Sequence, residues 1–321
     1  MANKVLITGG AGFLGKKLAR KLLERGQLDG RVIDKLVLLD MAARADLNDP
    51  RIETLVGDVA DPALLERAID RDTQSVFHLA AVVSGAAEAD FDLGMRINLD
   101  ASRHVLERCR ALGHVPRVIF TSSVAAFGGK LPAVIPDDFA PMPMSSYGAQ
   151  KVMGELMVGD YSRKGFIDGR TLRMPTISVR PGKPNAAASS FASGIIREPL
   201  NGEAAVAPVS PETRMWLMSP RLAIENLIHG HEVEAAKIGF PRSISLPGLS
   251  VSVRDMLAAL REVAGDKVAD LVRWEPDDAV KRIVESWPGE FAATRAKALG
   301  FKADANFADV IRAYQTDELG R

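Results

Sequence analysis

Tyr147 and Lys151 lie four residues apart in Tyr147-Gly-Ala-Gln-Lys151, so on a helix the phenol and the ammonium share one face. A tyrosine hydroxyl titrates near pH 10, and to act as a base near neutrality its anion needs roughly 4 kcal/mol of extra stabilisation. Lys151, together with the positive charge of an oxidised nicotinamide, is a plausible source in a partly dry site. Ser122 and Ser123 follow the apolar run Arg117-Val-Ile-Phe-Thr121, where either hydroxyl could hold a substrate oxygen. These groups suit one reaction: a proton leaves a substrate hydroxyl as hydride passes from its carbon to a nicotinamide.

Such a reaction needs a bound dinucleotide. In Thr8-Gly-Gly-Ala-Gly-Phe-Leu-Gly15, the glycines Gly9, Gly12 and Gly15 are spaced three apart. A turn that brings backbone N–H groups against a pyrophosphate cannot carry side chains there. The segment follows the apolar run Val5-Leu-Ile7 and opens an amphipathic helix through Phe13 and Leu14, the context in which this spacing has meaning. The next apolar run, Lys35–Asp40, ends in a carboxylate that can accept from both ribose hydroxyls. Asp40 would repel a 2′-phosphate, which favours NAD over NADP; Arg44 reads as a solvated loop residue. Asp58 and Val59, after Ile52–Val56, are placed to flank the adenine.

The elements that must position these groups alternate. The helix over 12–25 carries Leu14, Leu18, Leu22 and Leu23 on one face, with Gly26 as its C-cap. Strand-like runs follow at 35–40, 52–56, 75–79, 117–121 and 169–173. Near-continuous apolar strands separated by helices predict an α/β fold, a Rossmann-type doubly wound parallel sheet buried on both faces. After Arg173 the rhythm weakens. Residues 178–220, rich in Pro, Ala, Ser and Gly, read as a lid or smaller C-terminal substrate lobe. The expected division is 1–173 for dinucleotide and Ser-Tyr-Lys site, and 174–321 mainly for substrate, with some segments returning to the sheet. A late strand at 243–246 precedes a helix capped by Ser252 and Asp255. Residues 294–301 and 307–314 read as surface helices.

Composition narrows the function classes. The chain has 321 residues, 47% of them hydrophobic, and balances 41 basic against 41 acidic side chains. No global field draws nucleic acid or an anionic membrane. The single cysteine, Cys109, excludes an intramolecular disulfide and a cysteine metal cluster, and its helical context makes it a small buried or half-buried residue. No run approaches a membrane span, and the N-terminus enters a strand without a signal-peptide pattern, so a cytoplasmic protein is expected.

These residues resemble the extended short-chain dehydrogenase/reductase family, which includes nucleotide-sugar epimerases and dehydratases. Thr8–Gly15 is similar to its cofactor turn, His78-Leu-Ala-Ala81 to its fourth-strand motif, and Asn98 in Arg96-Ile-Asn-Leu-Asp100 to the asparagine of the following helix. Phe120-Thr-Ser-Ser-Val-Ala-Ala-Phe-Gly128 aligns Ser123 with the family's catalytic serine, and Tyr147 and Lys151 with the base and its helper. The resemblance implies NAD, contacts to it from Leu79, Ala80, Ala81, Asn98, Pro175 and Thr176, and a homodimer formed through two helices per subunit.

Departures from the family pattern bear on the substrate. Thr176, in Leu172-Arg-Met-Pro-Thr-Ile-Ser-Val179, stands where nucleotide-sugar members carry an asparagine, and their Arg-Asp-aromatic stretch is replaced by Thr213-Arg-Met-Trp-Leu-Met-Ser-Pro220. The Arg173–Gly182 and Arg214–Pro220 patterns resemble a small branch that oxidises four-carbon sugar acids at the 2-hydroxyl. A sugar acid needs a cation for its carboxylate, for which Arg180 and Arg214 are the candidates. Ser84, Asn185, Ser189 and Ser190 are short polar partners for its hydroxyls, beside Ser122, Ser123 and Tyr147. The alternatives are a nucleotide-sugar 4-epimerase or dehydratase that keeps NAD bound, and a non-catalytic NAD sensor. His229 and His231, two residues apart, fall on different helix faces and do not make a metal pair. His78 reads as a satisfied core histidine, and Trp216 either lines the substrate lobe or packs.

Overall fold

The computed structural model describes residues 2–43, 47–182 and 187–320. Strands β1 (Lys4–Thr8), β2 (Lys35–Asp40), β3 (Ile52–Val56), β4 (Thr73–His78), β5 (Arg117–Ser123), β6 (Asp168–Met174) and β7 (Ser243–Ser245) form one sheet, in the order β7-β6-β5-β4-β1-β2-β3. Every pairing is parallel. Strand order reverses beside β1, which opens a crevice at the carboxyl ends of β1 and β4.

Strands β1 and β2 carry buried apolar residues on both sides because both faces of the sheet are covered there. On one face, Leu18 and Leu22 of α1 (Phe13–Arg25) join Leu38, Phe77 and Ile119 of the strands. Burying each such leucine contributes roughly 2 kcal/mol. On the other, Leu64 and Leu65 of α2 (Pro62–Ala68), Val105 and Leu106 of α3 (Ala101–Leu112) and Val158 of α4 (Ser146–Arg163) pack on Leu6, Val37 and Phe120. Gly26 closes α1 in the left-handed conformation, its N–H bonding the Leu22 carbonyl at 2.9 Å. Asp61 caps α2 by accepting from the Ala63 N–H at 2.9 Å. The buried Cys109 thiol is pushed up to about 12 by burial.

Beyond β6 the chain builds a second core. It contains Ile195 and Ile196 of α5 (Phe191–Leu200), Met215 and Leu217 of strand Arg214–Met218, and Val251 of strand Leu249–Ser252. Strand Arg214–Met218 pairs antiparallel with Leu249–Ser252 and parallel with Thr176–Ile177. Later segments return to the large sheet: α6 (Pro220–Glu232), whose Leu227 and Ile228 join the first core, β7, which pairs with β6, and residues 291–301, whose Phe291, Ala293, Ala296 and Phe301 join the same core. Ser252 caps α7 (Val253–Ala264), accepting from the Asp255 N–H at 3.1 Å while its hydroxyl donates to the Asp255 carboxylate at 2.7 Å. Residues 307–314 form a helix at the surface, with Asp309 and Arg312 exposed. α8 (Phe307–Tyr314) buries Phe307, Val310, Ile311 and Tyr314 in the second core, a stripe at helical spacing.

Candidate active site

The crevice at the strand ends is a cavity of about 690 Å³. Its wall begins with the turn after β1. Gly9 has φ +72, and a side chain there would meet the Ala80 backbone nitrogen at 2.9 Å. A Cβ at Gly15 would strike the Gly9 carbonyl oxygen at 2.1 Å, so α1 reaches the turn only because residue 15 lacks one. Phe13 and Leu14 start α1 at the cavity wall. Asp40, ending β2, reaches back to this turn, its carboxylate accepting from the Ala11 N–H at 2.9 Å and from the Ala42 N–H at 3.3 Å. A side-chain-free turn at a helix N-terminus, with a carboxylate beyond it, fits a pyrophosphate followed by a ribose. The fit extends along the cavity, since Asp58, Val59, Leu79, Ala80, Ala81, Pro175 and Thr176 all line it.

Asn98 lies elsewhere. It is buried in the π-helical turn Met95–Asp100, and its amide accepts from the Val82 N–H at 2.8 Å. Its own N–H group donates to the Val82 carbonyl at 3.1 Å and to Gln150 at 2.7 Å. Asn98 therefore ties the segment after β4 to α4 and lies behind the cavity wall. Asp58 is bonded to the Arg96 guanidinium and accepts from the Ala60 N–H at 2.8 Å.

Two serines that look equivalent in the sequence face opposite ways, because strand residues alternate. The Ser123 hydroxyl accepts from the Ala125 N–H at 3.2 Å and bonds the Tyr147 phenol. Ser122 also lines the cavity, but its hydroxyl turns to the Glu155 carboxylate, which is paired with Arg173 at 2.6 Å in a buried cluster. Tyr147 enters α4 just after the Ser145 cap, whose hydroxyl accepts from the Gly148 N–H at 3.1 Å. A Cβ at Gly148 would meet the Ala125 carbonyl at 2.1 Å. That glycine lets the first turn of α4 press against the turn after β5 and brings phenol and serine together.

Lys151, 3% exposed, donates to the Thr121 carbonyl at 2.9 Å, and its ammonium lies 5.6 Å from the Tyr147 ring centroid. Burial pushes Lys151 down to about 8, against the pull of the Glu155 carboxylate. Burial also pushes the Tyr147 phenol up to about 12, opposed by the Ser123 hydrogen bond and the Arg180 charge. The sequence offers Lys151 and the nicotinamide charge together as groups that favour the phenolate. The structure adds the Arg180 charge.

Ser84, at the start of helix Ser84–Ala89, lines the same cavity, as do Arg180, Ser189 and Ser190. Arg214 is not brought there. Its guanidinium donates to the Ser250 hydroxyl at 3.0 Å and carbonyl at 2.9 Å on an exposed face of the small sheet. Asn185 and Arg44 lie outside the described residues. Sequence reasoning missed Arg197, a 6%-exposed arginine on α5 that lines the cavity, although an arginine after Ile195-Ile196 in an apolar helix was a readable signal. It also missed Trp287, whose place in the cavity depends on tertiary packing that no local pattern announces. Trp216 packs on Phe291 and donates to the Leu246 carbonyl at 3.1 Å. His78 is buried between the Thr8 and Ser102 hydroxyls at 2.7 and 3.0 Å, and burial pushes it down to about 3. His229 and His231 bond the Leu299 carbonyl and the Ser75 hydroxyl, each at 2.8 Å. Among the described residues, no helix is long and apolar enough to cross a membrane.

Comparison with known proteins agrees with this geometry. Residues 5–217 match the NAD dependent epimerase/dehydratase family. The chain is 62% identical to a D-erythronate dehydrogenase of Cupriavidus necator, over 98% of both chains. It is 47% identical to a D-erythronate dehydrogenase of Haemophilus influenzae, over 97% of this chain and 98% of the other. Among solved structures it is similar to a nucleoside-diphosphate-sugar epimerase from Agrobacterium tumefaciens, with TM-score 0.95 and 44% identity over 99% of this chain and 95% of that one. The chain belongs to the NAD-dependent epimerase/dehydratase family. It is an NAD-dependent dehydrogenase of the extended short-chain type, acting on a CH–OH group of a small molecule.

Proposed function

We propose that this enzyme oxidises the 2-hydroxyl of D-erythronate to 2-oxo-tetronate, with Tyr147 as the general base. One observation carries the reading: the Tyr147 phenol, bonded to Ser123, shares its cavity with the Arg180 and Arg197 guanidinia. A hydroxyl-reading group beside cations suits a hydroxy acid. The two relatives that carry the name D-erythronate dehydrogenase support the choice of acid.

NAD, when bound, supplies a positively charged nicotinamide ring that accepts the hydride. The chain does the rest. Ser123 holds the substrate hydroxyl against the Tyr147 oxygen. Tyr147 takes the hydroxyl proton as the C–H bond breaks. Lys151, fixed on Thr121, and Arg180 both favour the phenolate. Arg180 anchors the carboxylate, and Ser84, Ser189 and Ser190 are within the same cavity for the remaining hydroxyls. Ser122 acts from behind, through the Glu155–Arg173 pair.

The test is NADH formation with NAD and NADP in parallel, against C3–C6 aldonic acids. A rate with D-erythronate and NAD, and a product that behaves as a 2-oxo acid, is expected. Silence across the panel, with tightly held NAD and turnover of a nucleotide sugar, would replace this reading with the 4-epimerase one. We also infer a homodimer, as the family resemblance implies. Leu156, 69% exposed on α4, is an apolar residue such an interface would cover. Sedimentation of the purified protein decides it.

A further inference from the structure

Arg180 is gripped by one face of α5 at both of its backbone polar groups. Its N–H donates to the Ser193 hydroxyl at 3.0 Å, and its carbonyl accepts from the Arg197 guanidinium at 2.8 Å. Ser193 and Arg197 are i and i+4, one turn apart. Two residues earlier, the Ser178 hydroxyl donates to the Ala192 carbonyl at 2.9 Å. The segment is thus pinned before the Arg180 side chain leaves it. Arg197 itself is anchored by Glu198 at 2.5 Å, and the second Glu198 oxygen is buried without a hydrogen-bond partner. Two guanidinia against one carboxylate leave this wall net positive. Burial and the Arg197 charge both push Arg180 down, against the Tyr147 phenol.

We propose that Arg197 is the positioning residue that makes this site selective for acids: with Ser193 it clamps the Arg180 backbone, so that Arg180 meets a carboxylate in a fixed place beside Tyr147. This rests on the hydroxy-acid reading of the site. A preformed anchor loses little freedom on binding, and a neutral analogue leaves the positive wall unpaired. The discrimination is therefore built on α5, outside the Ser-Tyr-Lys machinery.

The test compares D-erythronate with its neutral amide, D-erythronamide, by steady-state kinetics and by calorimetric Kd with the NADH-loaded protein. Wild type is expected to bind the acid more tightly. Arg197→Met should weaken the acid roughly tenfold or more, the share of a hydrogen bond involving a charged group. The loss should fall on KM and Kd more than on kcat, with the amide little affected. Arg197→Lys should recover part of it. Ser193→Ala, which removes only the N–H side of the clamp, should lower the acid-to-amide ratio severalfold and serves if Arg197→Met does not fold. An unchanged ratio in Ser193→Ala and in whichever Arg197 variant folds would overturn the proposal. A wild type that binds the acid selectively but oxidises none would sink the function reading and leave the clamp standing.

Discussion

The Lys151 ammonium lies 5.6 Å from the centre of the Tyr147 ring and gives a hydrogen bond to the Thr121 carbonyl rather than to the phenol. It is held in a buried place at a cost. Its pKa in the folded protein, about 8, lies below the ordinary 10.5, so the unfolded chain binds that proton more tightly. Below pH 8 the folded state bears the whole penalty; as pH rises from 8 to 10.5 the penalty fades.

Lys151→Met should therefore stabilise the protein at pH 7 while abolishing turnover. The penalty is roughly 3 kcal/mol, and the lost bond to Thr121 returns about 1 of it. A rise of a few degrees in Tm is expected at pH 7, shrinking towards pH 10. A lower Tm at pH 7 would show that the ammonium is a net structural support.

Tyr147→Phe removes the hydroxyl and leaves the ring. Turnover should fall by roughly 10²–10⁴, the usual share of a general base. NAD affinity, read by calorimetry, should stay within a factor of about two, because the substitution leaves Gly9, Gly12, Gly15 and Asp40 of the cavity wall untouched. Turnover like the wild type's would sink the mechanism.

Arg180 and Arg214 separate two anchors that the sequence could not rank. Arg180→Met should raise the KM for the acid roughly tenfold or more, because a charged hydrogen-bonding partner is lost. It should also move the rising limb of the pH profile of kcat to higher pH. Losing a cation that favours the phenolate raises the phenol's pKa. Arg214→Met should change neither, since Arg214 is held by Ser250 outside the cavity. An effect of Arg214→Met on the KM for the acid would mean that the small sheet closes over the substrate.

The parts of this site that were legible in the sequence are those set by local rules. The turn 8–15, Asp40 at a strand end and the Tyr-Lys pair on one helix each announce themselves by spacing, and all seven sheet strands lie within two residues of the runs read from the sequence. The choice between Ser122 and Ser123 depended on strand register, which a pair of identical residues hides. Asn98 has the family's residue in the family's place, yet its bonds go to Val82 and Gln150. Arg197 and Trp287 reach the cavity only through packing between distant segments. The helix at 307–314 announced itself by its apolar stripe, but its place in the second core is set by packing between distant segments.

Asp40 does two jobs that one substitution can divide. Its carboxylate holds the Ala11 and Ala42 N–H groups, which shapes the glycine turn, and it puts a negative charge where the adenosine ribose would lie. Asp40→Asn keeps an acceptor oxygen for the turn and removes the charge. A 2′-phosphate near a carboxylate at hydrogen-bond range meets a repulsion of roughly 1–4 kcal/mol between wet and partly buried limits. The ratio of kcat/KM for NAD over NADP should therefore fall by roughly tenfold or more in Asp40→Asn, mostly through a gain for NADP. Asp40→Ala should lose NAD as well, because the turn loses its clamp. Parallel rates with both cofactors check this. If Asp40→Asn keeps the wild-type preference, selection lies in the segment after Met41, and Asp40 serves the turn alone.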